Sequence, residues 1–534
     1  MAEVLLRLDN NNPLYTTYFT ANEINTKFTN LRKVNLINRI KNDTLFFKST
    51  SRRERDVEDS FSLDFFYTIN PDKKNVVGLL KSEIKHKDYD WVINPNNDTA
   101  NKVTFVLKDK DFLISPFTMV SNEQKIEFKG AMKGEDYKDF QATFDQVKLQ
   151  SFLPPIDSLH LSGKINGAIS LKEQNAKLEP KANVTVENFK INDFEQGFLA
   201  LNINGKDSYE NYDVSLVLEN SISKSINAVG ELDFSPERPV MDLSVGIEDY
   251  EIAAFSPLGK QVLSKLRGSV SGEFNAKGFI GNPDLNGALE FKDAGLTFPY
   301  LNIDMNLEGN TKIALKGQQF LLDGVILEDT KYQTKGNLSG YIAHQDFKLW
   351  VMDLGIRTDN LLVLDTEENE EVPYYGTGFL QGTAEITGAT SNLDILVEGR
   401  TQPGTKFVIP LSDVKMIDNY KLIHFEKRVK EEKEEEKIME DIKGLDLDIR
   451  LEVTKDAVAQ VVIDKVSGSE LTGSGTGNLA IEINTRGKFN MYGDFKVEKG
   501  KYNFKYANLP GISKPFIVQK GGTISWNGSL MMPS

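Results

Sequence analysis

A chain of 534 residues with a formal net charge of −15 and a pI near 5.0 has room for several domains or one long repetitive one. It lacks the clustered basic surface that nucleic acid asks for, which excludes that class of partner. Cysteine is absent, so disulfides and thiol chemistry are excluded, and only four histidines occur, His86, His160, His344 and His424, too scattered to suggest a multi-histidine metal site.

The N-terminal stretch MAEVLLRLDNNNPLYTTYF has an acidic residue where an export signal carries its basic region, and its apolar part is too short for one. No segment approaches the roughly 18 to 20 uninterrupted apolar residues of a spanning helix. Asn94 to Lys102, NPNNDTANK, lacks the residue order of a calcium loop and reads as a long turn. Period-two alternation then dominates, and YDVSLVLENS places Val214, Leu216 and Leu218 on one strand face. Ser256 to Leu266, SPLGKQVLSKL, predicts a short amphipathic helix with Leu258, Val262 and Leu266 in one stripe and Pro257 just inside its start, suited to covering a sheet end. Glu426 to Asp441 is almost wholly charged and reads as a solvated helix or disordered insertion. The clearest strand follows. In GLDLDIRLEVT, Leu445, Leu447, Ile449, Leu451 and Val453 share one face, and Asp446, Asp448, Arg450 and Glu452 the other. NLAIEINT repeats this with Leu479, Ile481 and Ile483. At the C-terminal end, KPFIVQKGGTISWNGS reads as a strand, a Gly521–Gly522 turn and a second strand.

Lining up the glycines exposes an internal repeat: LSGKINGAISL from Leu161, LRGSVSGEFNA from Leu266, YGTGFLQGTAEITG from Tyr375 and LTGSGTGNLAIEIN from Leu471, roughly one hundred residues apart. Each is a glycine-spaced entry to a strand, in the manner of units that continue one another's sheet. GSGTG, Gly473 to Gly477, leads into a strand and not a helix, so it lacks the amide ring of a phosphate loop and is read as turn and twist positions. Asp446 and Asp448 sit on a wet strand face, where solubility explains them better than acid–base chemistry. An apolar stripe by itself implies only a core, which a meander folded over itself would also supply. The scarcity of any second element leaves an open trough as the competing reading.

Specific resemblance begins with Lys335 to Asp413, where the entry GNLSGYIAH, LLVLDT, YYGTGF and the IPL strand fall in one order. It continues in Gly493 to Ser529, where a Gly-Tyr strand leads to Phe-Ile-Val and then to GGTISWNG. These segments resemble the TamB family of translocation and assembly module subunits, of the Bacteroidota type. The likeness runs at lower strength from about Thr26, for example in NDTLFF and VGLLKSEIKHKDYDW. It implies an all-β fold: a long, curled, mostly antiparallel meander forming a U-shaped hydrophobic groove, with a short capping helix and the charged insertion. It also implies a periplasmic location between inner and outer membrane, phospholipid as cargo, and an outer-membrane barrel partner of the TamA or BamA type. Nascent outer-membrane proteins are further partners it implies, and neither enzyme activity, metal nor cofactor is expected. The family's N-terminal membrane anchor and its terminal docking segment have no counterpart here, so the resemblance implies a fragment.

The expected division is an N-terminal part of the sheet over 1–155, β repeats over 156–260, 261–370 and 371–425, the charged insertion over 426–441, and a C-terminal β-segment over 442–534. The expected groove lining is Val214, Leu216, Leu218, Leu445, Leu447, Ile449, Leu451, Val453, Leu479, Ile481 and Ile483. Phe516, Val518, Ile524 and Trp526 are the expected edge for pairing with a partner strand. The alternative function is a chaperone that adds nascent barrel strands to that edge, which proline at Ile524 should block. A β-helix or sandwich enzyme acting on polysaccharide would want its aromatics clustered, whereas Trp91, Trp350 and Trp526 are far apart in sequence.

Overall fold

The structure, a computed structural model, describes residues 2–529 except 8–15, 26–29, 54–58, 87–88, 153–159, 176, 221–223, 260–262, 369–373, 411–443, 465–466, 485–487 and 506–512. Among the described residues are 34 strands and two short 3₁₀ segments, Leu149–Ser151 and Ile252–Gly259. The expectation of an all-β, mostly antiparallel meander is met. Two units are distinguished, Met1–Tyr250 with Asn275–Pro283, and Glu251–Phe274 with Asp284–Ser534.

In the first unit, nine successive strands from Asp111–Ser121 to Val240–Glu251 each pair antiparallel with the next. Tight turns make this possible. Asn192 and Asp193, with φ of 51° and 69°, form a two-residue connection between strands Lys177–Ile191 and Phe194–Gly205, using residue types that tolerate the left-handed region. Upstream, strand Ser60–Ile69 faces two short strands laid end to end, Asn75–Leu79 and Ser82–His86. These face Lys102–Val106 and Tyr89–Ile93, which in turn pair with Asp111–Ser121. The turn expected at Asn94 to Lys102 fills the break between the last two. Asn94 is 1% exposed and donates through Nδ2 to the carbonyls of Leu79 (2.8 Å) and Asp98 (2.7 Å). Asn101 accepts from the Thr118 N–H at 2.9 Å, so the interrupted ladder leaves these backbone groups satisfied.

The second unit repeats the broken-strand device. Strand Asp284–Phe298 faces Ile303–Leu307 and Thr311–Gly317 end to end, and both pair onward with Gln319–Asp329. Strands Lys335–Gln345, Leu349–Thr366 and Tyr375–Ala389 follow antiparallel. The last of these faces the collinear Asn392–Thr401 and Lys406–Pro410. Here direction changes: Asn392–Thr401 pairs parallel with Leu445–Val453, and Lys406–Pro410 parallel with Val458–Asp464. A parallel pair needs a crossover of a dozen or more residues, and residues 411–443 supply it. The charged stretch Glu426 to Asp441 belongs to that connection and lies outside the described residues. At the paired breaks, threonines join the two lines. The Thr454 N–H donates to Thr401 Oγ1 at 2.9 Å, and the Phe379 N–H to Thr405 Oγ1 at 3.1 Å.

Two expectations on local structure are corrected. The helical turn occupies Ile252–Gly259, earlier than the stripe predicted over Ser256 to Leu266, and strand Ser264–Phe279 already contains Leu266. The Leu266 N–H donates to Ser256 Oγ at 2.8 Å, and a stripe this short is marginal as a helix, whereas its C-terminal part is taken into a long strand. The second correction concerns the C-terminal glycines. Ser513–Val518 and Thr523–Ser529 are strands, but they lie end to end against the single strand Phe489–Lys505 and do not pair with one another. Gly521 and Gly522 bridge a strand break: the Gly521 N–H donates to the Val497 carbonyl, and the Val497 N–H to the Gly522 carbonyl, each at 2.8 Å.

Candidate functional site

Cross-strand partners point to the same side of a sheet, so register shows which residues form a continuous face. In the first unit one row runs Phe117, Phe128, Ala142, Ile169, Ala182, Ile203, Val214, Gly230, Leu243. A neighbouring row runs Met119, Ile126, Phe144, Gly167, Val184, Leu201, Leu216, Ala228, Val245 through the same strands. Nine strands make eight steps of about 4.8 Å, or roughly 38 Å of apolar surface. The face is not covered throughout. Phe128 and Ile169 lie mid-strand within it, yet are 39% and 47% exposed. Leaving such side chains half in water forgoes on the order of 1 kcal/mol each, which makes this face the candidate site.

The predicted lining residues of this unit, Val214, Leu216 and Leu218, lie side by side on this face. Leu218 is 3% exposed, and the other two are half-buried. Phe117, Phe128, Ile169 and Ile203 were missed. Their signal was in the sequence: in LSGKINGAISL and IEFKGAMK the face alternates apolar residue and glycine, and the glycines disguise the stripe.

The second unit has the same ladders. One runs Val325, Leu338, Ile356, Ala384, Val397, Ile449, Ile481, Met491, Gly528, and crosses the parallel junction without interruption. Another runs Leu354, Ile386, Ile395, Leu447, Ile483. The predicted residues of this unit are therefore brought together: Leu447, Ile449, Leu451 and Val453 stand opposite Ile483, Ile481, Leu479 and Gly477. Leu445 stands next to Leu393.

Toward the last strands this face closes on itself. Ile409, Val453, Ala457, Ile481, Met491, Phe495, Val497 and Trp526 form a buried cluster, with Ile449, Leu451, Leu479, Ile483, Val518 and Ile524 packed against it. Met491 is 2% exposed. Two glycines of GSGTG allow the close approach. A Cβ at Gly475 would sit 2.2 Å from the Lys496 carbonyl oxygen and 2.8 Å from the Phe495 ring, and one at Gly477 would sit 2.2 Å from the Asp494 carbonyl oxygen. They are packing positions within strand Ser469–Asn484, in keeping with the twist reading and not with a phosphate loop. Of the expected edge residues, Trp526 (9% exposed), Ile524 and Val518 thus belong to this core, and only Phe516, 45% exposed, faces solvent.

The opposite face is polar. Arg450 Nη1 meets Glu398 Oε1 at 2.7 Å and Arg400 Nη2 meets Glu452 Oε1 at 3.4 Å, while Asp448 stands opposite Glu482, whose charge is met by Lys488 at 2.7 Å. The Lys488 ammonium holds the Glu482 carboxyl below the usual range. Of the histidines, His86 Nδ1 lies 2.8 Å from the buried Asp59 carboxylate, His160 is exposed, and His424 lies outside the described residues. His344 is 4% exposed, stacks on Phe347 at 3.9 Å beside Phe320 and Trp350, and neither ring nitrogen has a hydrogen-bond partner. Burial pushes its pKa down. Among the described residues no group of three or more His, Asp or Glu is placed to hold a metal ion, and no helix is long and apolar enough to cross a membrane.

No curated protein and no solved structure matches the chain. Residues 323–534, wholly within the second unit, match the family model of the TamB C-terminal domain.

Proposed function

We propose that the chain carries phospholipid acyl chains on its apolar faces, and so serves lipid movement between inner and outer membrane and the assembly of outer-membrane proteins. The observation behind this reading is the half-exposure of Phe128 and Ile169 in the middle of nine-strand apolar ladders. Holding a lipid tail in water costs about 0.8 kcal/mol per CH₂. A face of aliphatic rows with no polar group to be satisfied removes that cost uniformly, without one tight site, as movement along a path requires. The parent protein would act in the periplasm, anchored in the inner membrane, with a barrel partner of the TamA or BamA type.

Native mass spectrometry of the purified chain, expressed in an envelope and gently extracted, tests this. Several phospholipids per chain at non-stoichiometric loading is the expected result, and loss of loading in a folded Phe128→Asp, Ile169→Asp variant sharpens it. A lipid-free chain would overturn the reading. A second reading, a chaperone that adds barrel strands to its own sheet, is favoured by strand Ser513–Val518. Among the described residues it pairs on one side only, and Ile517 within it is 89% exposed. Proline placed within strand Ser513–Val518 should then abolish assembly while leaving lipid loading unchanged; Ile524, packed in the cluster, is not on that edge.

A further inference from the structure

The last strands carry a charge that the chain as a whole does not. From Lys488 to Lys520 the sequence holds seven lysines against Asp494 and Glu498, in a chain of net charge −15. Lys488 and Lys520 are paired, to Glu482 and Glu498, at 2.7 Å each. Lys496, Lys499, Lys501, Lys505 and Lys514 are exposed and make no ion pair among the described residues. Lys501 is the register partner of Ile517, a side chain that is 89% exposed, and Lys505 that of Ser513, so Lys499, Lys501 and Lys505 line the face of strand Phe489–Lys505 on which Ile517 stands. On the other face of this corner, Phe516 (45% exposed) and Phe504 (37%) flank Tyr502, at ring distances of 6.1 and 6.2 Å. Lys514 Nζ lies 5.5 Å from the Phe516 ring centre.

Lysines screened by carboxylates would be an ordinary solvated face. Here five lysines outnumber the carboxylates near them, each of which is already engaged, Glu470 by Asn503 and Gln460, Glu498 by Lys520 and Asp494 by Ser525, and an aliphatic tip and two half-exposed rings stand in this cationic excess. Water solvates the cations well and the tip poorly. An anionic phospholipid surface suits all three groups at once: ammonium groups at the phosphate level, rings at the interface, and the isoleucine just below it. We propose that this corner, built on strands Phe489–Lys505 and Ser513–Val518, docks on a membrane surface rich in anionic phospholipid. The inference goes beyond acyl-chain carriage and does not rest on it, since none of these exposed groups belongs to the ladder rows.

Flotation of the full chain with vesicles tests it. The expected result is binding to vesicles of equal parts phosphatidylglycerol and phosphatidylcholine, weakened by salt, and little binding to phosphatidylcholine alone. Lys499→Glu, Lys501→Glu, Lys505→Glu together should lower the partition coefficient on the order of a hundredfold, and Ile517→Ser by roughly tenfold, with circular dichroism unchanged. Equal binding to both vesicle types, or a triple variant that floats like the parent, would overturn the proposal. So would loss of flotation in the Phe128→Asp, Ile169→Asp variant, because binding would then run through the ladder face. A chain that loads lipid but does not float sinks the docking and leaves the proposed function standing; one that floats but never loads lipid does the reverse.

Discussion

Ile169 and Ile481 occupy equivalent places: each stands mid-strand on the apolar face, between apolar register partners on both sides. One is 47% exposed and the other 7%. Alternation put both on the dry side, and what separates them lies in their neighbours. Around Ile481, Gly475 and Gly477 let strand Phe489–Lys505 approach closely enough for the Phe495 ring to lie against the glycines, and the collinear strand pairs bring Ile409, Ala457 and Trp526 into the same cluster. Around Ile169 the partners are Ala142 and Ala182, too short to roof over a larger side chain. Period two therefore tells which face is apolar, and the sizes of the residues opposite tell whether that face is filled.

Removing side chains tests this contrast most directly. Met491→Ala should cost about 2–5 kcal/mol as a buried deletion, whereas Ile169→Ala should cost less than about 1 kcal/mol. Hydrogen exchange read separately on peptides from Phe489–Lys505 and Leu161–Gln174 resolves the two, and equal losses would break the comparison. Gly477→Val should destabilise the second unit by about 1–3 kcal/mol, because the new side chain meets backbone that has nowhere to go, with loss of protection confined to the strands it touches. A smaller effect is expected at His344. Because burial lowers its pKa below 6.5, the neutral ring's contribution is complete above that pH, and it is lost as pH falls through the gap toward the folded-state value. His344→Phe should flatten that acid limb in pH-dependent melts, and an unchanged limb would show that the ring is already hydrated. Arg450→Ala should shift stability by no more than about 0.5 kcal/mol, since its pair with Glu398 is exposed; a double-mutant cycle with Glu398→Ala checks it.

Much of the fold was legible. Leu445 to Val453 alternate cleanly because one side of their strand is wet, and the four glycine-spaced motifs at Leu161, Leu266, Tyr375 and Leu471 all fall in long strands. Less legible were features set by distant partners. Gly521 and Gly522 look locally like a hairpin turn, and only the length of the facing strand, Phe489–Lys505, lets two short strands lie along it in line. The parallel junction left no local mark, since Leu447 and Ile449 alternate identically whichever direction their neighbour runs. At the candidate site the aliphatic rows were readable, while the exposure of Phe128 and Ile169 depends on alanines in adjacent strands.

The reversal of direction at Leu445–Val453 also bears on how the chain folds. Every antiparallel neighbour joined by a tight turn pairs across a short separation in sequence, so most of the sheet can grow by local zipping, one strand templating the next. Strand Leu445–Val453 is different, because its register with Asn392–Thr401 forms only after residues 411–443 have been bridged, and closing that loop is the slow step. Until then the edge of Asn392–Thr401 waits unpaired, an aggregation hazard during folding. A chain emerging N-terminus first would thus have its earlier strands zipped before the cluster around Met491 closes, and refolding should show one late phase that reports on Trp526.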